Sequence, residues 1–191
     1  MISNLVKKYL SLSDKMRRGY KNSLGAASPA WEKTFAAIVP AVPEFIRAIY
    51  GEVAGTHKNI ADQKYLDFIP GYRLIHIEEL ECEYHTLLQL LASDDVCEVQ
   101  IKTIIPLLAD YSSCYICYVK TTDNRQSIFH YSPDEGLQKM HNSVELFLET
   151  IIAFYHKDVF YLDEDGYLDY DFEKEGLIGA AYNPDIEYWM E

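Results

Sequence analysis

The sequence predicts an α+β fold in which a central, mainly antiparallel sheet is flanked by N-terminal and C-terminal helices. Three observations point to it. Apolar residues recur at helical spacing at both ends of the chain, the stretch 99–132 alternates with period two, and the last two alternating runs are joined by a hairpin loop, so strands meander between helices.

Ile2, Leu5, Val6, Tyr9 and Leu10 line one side of a first helix and leave Lys7 and Lys8 facing away. Ser28-Pro29 is a cap followed by a proline at the first helical position, opening a short helix through Trp31, Phe35 and Ile38 that Pro40 stops. Pro43 starts another, with Val42, Phe45, Ile46, Ile49, Tyr50 and Val53 at helical period and Gly55 as its stop. KYLDFIPGYRLIH (64–76) alternates around a Pro70-Gly71 turn and predicts two short strands or one bent one. Ile77, Leu80, Tyr84, Leu87, Leu88 and Leu91 mark a surface helix closed by Ser93-Asp94-Asp95. VQIKTIIPLLA, SSCYICYVK and SIFHYS read as strands, with residues 121–126 as the loop between the last two. Asn142 and Glu145 predict a capping box for a long helix with Val144, Phe147, Leu148, Ile151, Ile152 and Tyr155 on its apolar face. VFYL and YLDYD flank Asp163-Glu164-Asp165-Gly166, so the acidic tail is expected to begin as a small hairpin.

At 191 residues, 49% hydrophobic and 25% charged, the chain has the make-up of a globular protein with length enough for one core, which excludes intrinsic disorder. A single domain over 1–191 is expected, with a core at about 29–157, a basic N-terminal helix over 1–28 and an acidic hairpin and tail over 158–191. No stretch approaches the ~20 apolar residues of a membrane span, and the first residues lack the pattern of a secretion signal. A cytoplasmic protein with no membrane partner is therefore expected.

The formal charge of -13 argues against direct binding of nucleic acid. Residues 1–25 hold six basic groups against Asp14, and residues 158–191 hold eleven acids against Lys174 alone. Such asymmetry fits an interaction surface, a pairing of the two ends, or a solvated rim.

Few motifs invite chemistry. Cys114-Tyr-Ile-Cys117 has metal-site spacing, but on a strand those side chains point to opposite faces, and Cys82 and Cys97 supply no second pair, so buried free thiols are expected. Asp163, Asp165, Asp169 and Asp171 crowd around Gly166, which stands fourth from Asp163 where a calcium loop needs its glycine sixth. Glu81 and His85 are spaced to meet across one helical turn. The six histidines form no H-E-x-x-H pair or Cys-His cluster, and no nucleophile elbow or phosphate-binding loop is present. No catalytic residue, metal or cofactor is expected.

AVPEFIRAIYGEVAGT (41–56), with Pro43, Phe45, Ile46, Ile49, Tyr50 and Gly55 in place, is similar to the early helix of the SUKH superfamily, named in part for the fungal Smi and Knr cell-wall regulators. IPGYRLIHIEEL (69–80) resembles that family's strand leading into a helix, and IIPLLADYSSCYICYVK (104–120) with SIFHYS and SVELFLETIIAFY resembles its hairpin and closing helix. Ser112-Ser113-Cys114 stands where the family has a glycine-rich turn, and the Ile104-Ile105 pair replaces its tryptophan. The resemblance implies a non-catalytic α+β domain, often a bacterial immunity protein that neutralises a cognate toxin, frequently a nuclease. It also allows a regulatory or scaffolding module of the fungal type, and an uncharacterised enzyme is the third reading. An acidic chain suits a basic toxin, and the expected contact is Asp163, Glu164, Asp165, Tyr167, Asp169, Tyr170, Asp171 and Glu173. Tyr161, Tyr167, Tyr170, Tyr182 and Tyr188 stand among these acids, where they either enlarge an interface or pack the tail onto the sheet.

Overall fold

The computed structural model describes residues 1–29, 31–93 and 100–190. Four helices come first: α1 (Ile2–Met16), the single turn α2 (Tyr20–Ser23), α3 (Trp31–Ile38) and α4 (Glu44–Tyr50). They are followed by β1 (Arg73–Leu74), α5 (Leu80–Ser93), β2 (Ile101–Ala109), β3 (Tyr115–Thr121), β4 (Gln126–Ser132) and β5 (Gly136–His141). The chain continues through α6 (Val144–His156), β6 (Phe160–Leu162), β7 (Leu168–Tyr170) and α7 (Phe172–Tyr182). Strands β1 to β5 form one sheet in sequence order, each neighbouring pair antiparallel, while β6 and β7 pair as a separate hairpin.

Packing explains the patterns. Every residue of β3 from Tyr115 to Val119 is buried, so this strand is covered on both faces and reads as an unbroken apolar run. α6 lies on β4 and β5, α1 against α6 and α4, and α5 against β2. The register of β2 against β3 shifts between Pro106 and Leu108, a bulge suited to a residue with no N–H for the ladder. The buried apolar cluster draws on both ends of the chain, from Tyr9 and Leu10 in α1 to Trp189 beyond α7.

Several local predictions shift. Gly51, not Gly55, closes α4. Gly55 adopts φ +99°, and a Cβ there would meet the Ile75 carbonyl oxygen at 2.5 Å. Its role is close approach, because Thr56 bridges to Ile75 and donates its N–H to Leu74 O at 2.8 Å. Ser143, not Asn142, caps α6, its hydroxyl accepting the Leu146 N–H at 3.1 Å. In the stretch 64–76 only β1 is regular strand; before it come a 3₁₀ turn (Gln63–Tyr65) and a tight Ile69–Tyr72 bridge. β5 and α7 had no counterpart in the sequence reading. Asp94, Asp95 and Cys97 lie outside the described residues.

A buried polar relay fastens the C-terminal segment to the core. His141 Nδ1 lies 2.8 Å from Asn183 Oδ1, while the Asn183 amide donates to Thr150 Oγ1 (3.1 Å) and Gly179 O (3.0 Å). The Trp189 indole N–H donates to Met140 O at 2.7 Å. Burial holds the His141 imidazole down to a pKa of about 4, despite the Asn183 contact. The unfolded chain therefore takes up this proton first as pH falls. The His141 contribution is complete above about pH 6.5 and is lost between there and pH 4, at up to about 1.4 kcal/mol per pH unit. Urea unfolding at about pH 7 and about pH 5 should show a larger loss for the wild type than for His141→Gln, which cannot titrate. Equal losses would exclude this proton.

Candidate binding surface

The acidic hairpin is built by its own carboxylates. Asp163 Oδ1 accepts the backbone N–H groups of Asp165 (3.0 Å) and Tyr167 (2.8 Å), and Gly166 takes φ +86° to close the turn. Glu164 and Asp165 stand exposed at the tip. Asp169 accepts the Tyr161 hydroxyl at 3.2 Å across the two strands. Asp171 caps α7 by accepting the Lys174 N–H (3.1 Å) and pairs with its ammonium (3.0 Å). The Lys174 N–H and ammonium hold the Asp171 carboxyl below the usual range. Glu173 is exposed in the first turn of α7, and Tyr170 packs half-buried against the core. Of the eight residues expected to make contact, Asp163, Asp169, Asp171 and Tyr170 thus also have structural tasks, whereas Glu164, Asp165, Tyr167 and Glu173 are spent on the surface.

Among the described residues nine large apolar or aromatic side chains are exposed, and six of them fall within residues 161–190. These are Tyr161, Leu162, Tyr167, Phe172, Leu177 and Met190, with Phe172 and Leu177 exposed by 73% and 75%. Acids are interleaved with them along the hairpin and α7. Tyr161 and Tyr167 point outward, whereas Tyr170, Tyr182 and Tyr188 are half-buried, so the tyrosines divide between surface and packing. Phe172 and Leu177 escaped notice in the sequence because α7 did; the Asp171 cap followed by Glu173 and Glu175 was the available signal.

Phe172 also edges a cavity of about 260 Å³ beside α7, lined in part by His130, Glu135, Glu175 and Tyr188. Burial pushes the Glu175 carboxyl up to about 7, and its side chain has no hydrogen bond or cation partner among the described residues. His130 accepts or donates to the Tyr72 hydroxyl through Nε2 at 2.8 Å, and its buried Nδ1 has no partner. Burial lowers the His130 pKa, against the pull of Glu135 and Asp110.

The basic N-terminal segment does not neutralise this face. Among the described residues Lys7 and Lys21 pair with Glu52, and no ion pair joins residues 1–25 to residues 158–191. Arg17 is buried, donating to Asp67 O (2.7 Å) and Ser13 Oγ (2.9 Å) with its guanidinium over the Tyr20 ring, so one of the six basic groups serves the core. Lys64, from the loop before β1, approaches the hairpin, 5.9 Å from the Tyr167 ring centroid.

The other sequence motifs resolve locally. Cys117 is buried in β3, but Cys114 is half-buried in the preceding turn and Cys82 is exposed on α5, so the expectation of buried thiols holds for Cys117 alone of the described three. Asp110 Oδ1 accepts the N–H groups of Ser112 (2.7 Å) and Cys114 (2.8 Å), and Ser113 takes φ +67°, a left-handed conformation that glycine adopts most readily. Among the described residues no ion pair joins Glu81 to His85, whose ring lies instead against Tyr84, centroids 5.7 Å apart. No helix among the described residues is long and apolar enough to cross a membrane. No protein-family model matches this chain, and no curated protein matches it.

Proposed function

We propose that the chain is a non-catalytic protein-binding domain of the SUKH type that acts in the cytoplasm by occluding a basic toxin. The observation that carries this reading is the concentration of exposed apolar side chains in the segment that also holds the densest negative charge. Aromatic and aliphatic groups supply contact area at an interface, while carboxylates among them steer a basic partner and reject an acidic one. Glu175, half-buried without a cation of its own, adds a place where a basic side chain of the partner would be welcomed. The antiparallel meander between helices supports the SUKH assignment at the level of element order.

The test is rescue of growth. The chain should protect cells that express a toxin whose gene adjoins its own, and the combined change Asp163→Asn, Asp165→Asn, Asp169→Asn and Asp171→Asn should weaken protection; an isolated gene with no toxin beside it would favour a regulatory role. Asparagine preserves the turn and cap, so the fold survives. Association with the toxin should slow about tenfold or more at low salt, and its salt dependence should flatten. Unchanged rates would remove the hairpin from the interface. A partner that is not toxic would assign the surface to a regulatory or scaffolding role.

A further inference from the structure

The close approach that Gly55 permits sets two histidines from separate segments together. His57 follows Thr56, His76 follows Ile75, and Thr56 and Ile75 are bridged. The two imidazoles stack with centroids 3.5 Å apart. Glu78 reaches both, its Oε2 lying 3.9 Å from His57 Nε2 and 3.9 Å from His76 Nδ1. The three ligand atoms all lie within 4.8 Å of one another.

We propose that His57, His76 and Glu78 bind a divalent transition-metal ion, zinc foremost. Two imidazoles and one carboxylate are the donor set of zinc sites that keep a position open, and they disfavour calcium and magnesium, which prefer oxygen alone. A second observation gives the site its orientation. His57 Nδ1 lies 3.3 Å from Glu79 Oε1, so the ring donates its proton there and turns the Nε2 lone pair toward Glu78. Glu79 is itself held, accepting the Lys58 N–H at 3.1 Å and buried Arg73 at 2.7 Å. This is the carboxylate–histidine arrangement that fixes the tautomer of metal ligands. Closure takes a rotation of the half-exposed His57 ring out of the stack about its Glu79 hydrogen bond. On the other ring, the long Glu78 N–H contact to His76 Nδ1 (3.3 Å) is exchanged for the ion.

Calorimetric titration of the full chain with zinc chloride tests the site. One ion per chain is expected, with His57→Ala and His76→Ala each lowering affinity by more than the roughly tenfold to hundredfold that loss of a ligand's hydrogen-bond partner costs, and Glu78→Gln also weakening it. The His57 side chain is 51% exposed and that of Glu78 75% exposed, so those two variants fold even if His76→Ala does not. A rival ligand is Cys82, an exposed thiol on α5. Cys82→Ser should bind zinc as the wild type does. Binding that survives His57→Ala with Glu78→Gln unchanged, binding lost in Cys82→Ser, or no binding by the wild type at micromolar zinc would each overturn the proposal.

Discussion

Replacing Arg73 by methionine is expected to cost about 3–5 kcal/mol of folding stability, the largest single effect of any substitution considered. The guanidinium is 2% exposed and donates to Thr56 O (2.9 Å), Glu79 (2.7 Å) and Glu83 (2.6 Å), and Glu83 in turn accepts the Tyr115 hydroxyl (2.8 Å). Partial burial works to raise the Glu79 carboxyl, yet the Lys58 N–H and Arg73 more than offset it and hold the group below its ordinary value. Removing the cation leaves two half-buried carboxylates facing each other with a hydroxyl and no positive charge. The penalty comes chiefly from those stranded acids, so Arg73→Met combined with Glu79→Gln and Glu83→Gln should recover a good part of it. Denaturant midpoints measure both. A loss below about 1 kcal/mol for the single change would show that the network behaves as a surface pair.

Gly179→Ala is expected to destabilise, and Gly176→Ala, three residues earlier on the same helix, to do the reverse. Alanine gains about 1 kcal/mol over glycine in a helix interior. At Gly176 a Cβ meets nothing within 4 Å, so that gain is kept. At Gly179 it would lie 2.1 Å from the Trp189 ring, which no small adjustment absorbs. The ring must leave its place against His141 and Phe154 and give up its hydrogen bond to Met140 O. Overpacking of about 1–3 kcal/mol, with the lost aromatic burial added, outweighs the helix gain and gives a net loss of about 2 kcal/mol. In a Trp31→Phe background the remaining tryptophan should emit at longer wavelength in Gly179→Ala than in Gly176→Ala. Equal stabilities and equal emission would mean that Trp189 does not seat on α7.

These two residues also mark where the sequence was opaque. The helices α1, α3, α4, α5 and α6 were legible because each buries an apolar face at helical period, and β2 to β4 because their runs are rich in β-branched and aromatic residues, although β2 and β3 bury both faces and so do not alternate. Arg73 was not, since an arginine in an alternating strand looks solvent-facing until Glu79 and Glu83, six and ten residues on, are folded over it. α7 was hidden by Gly176 and Gly179, which read as helix breaks although one of them makes room for an indole. β5 is polar along most of its length and is recruited by pairing with β4. The acidic hairpin was readable from Asp163-Glu164-Asp165-Gly166, yet its apolar companions were not, because exposure of Phe172 and Leu177 is a property of how α7 docks. The approach of His57 to His76 depends on a glycine whose conformation only the tertiary contact reveals.

Photo-crosslinking in the producing cell tests the central claim most directly. A benzophenone side chain at position 172, on the acidic aromatic face, and one at position 88, an exposed leucine on α5, sample two surfaces of one folded protein. Attachment of a single basic protein from position 172 and not from position 88, with loss of that attachment in the fourfold Asp→Asn variant, is the predicted result. Attachment from position 88 alone, or of an acidic protein from position 172, would contradict it.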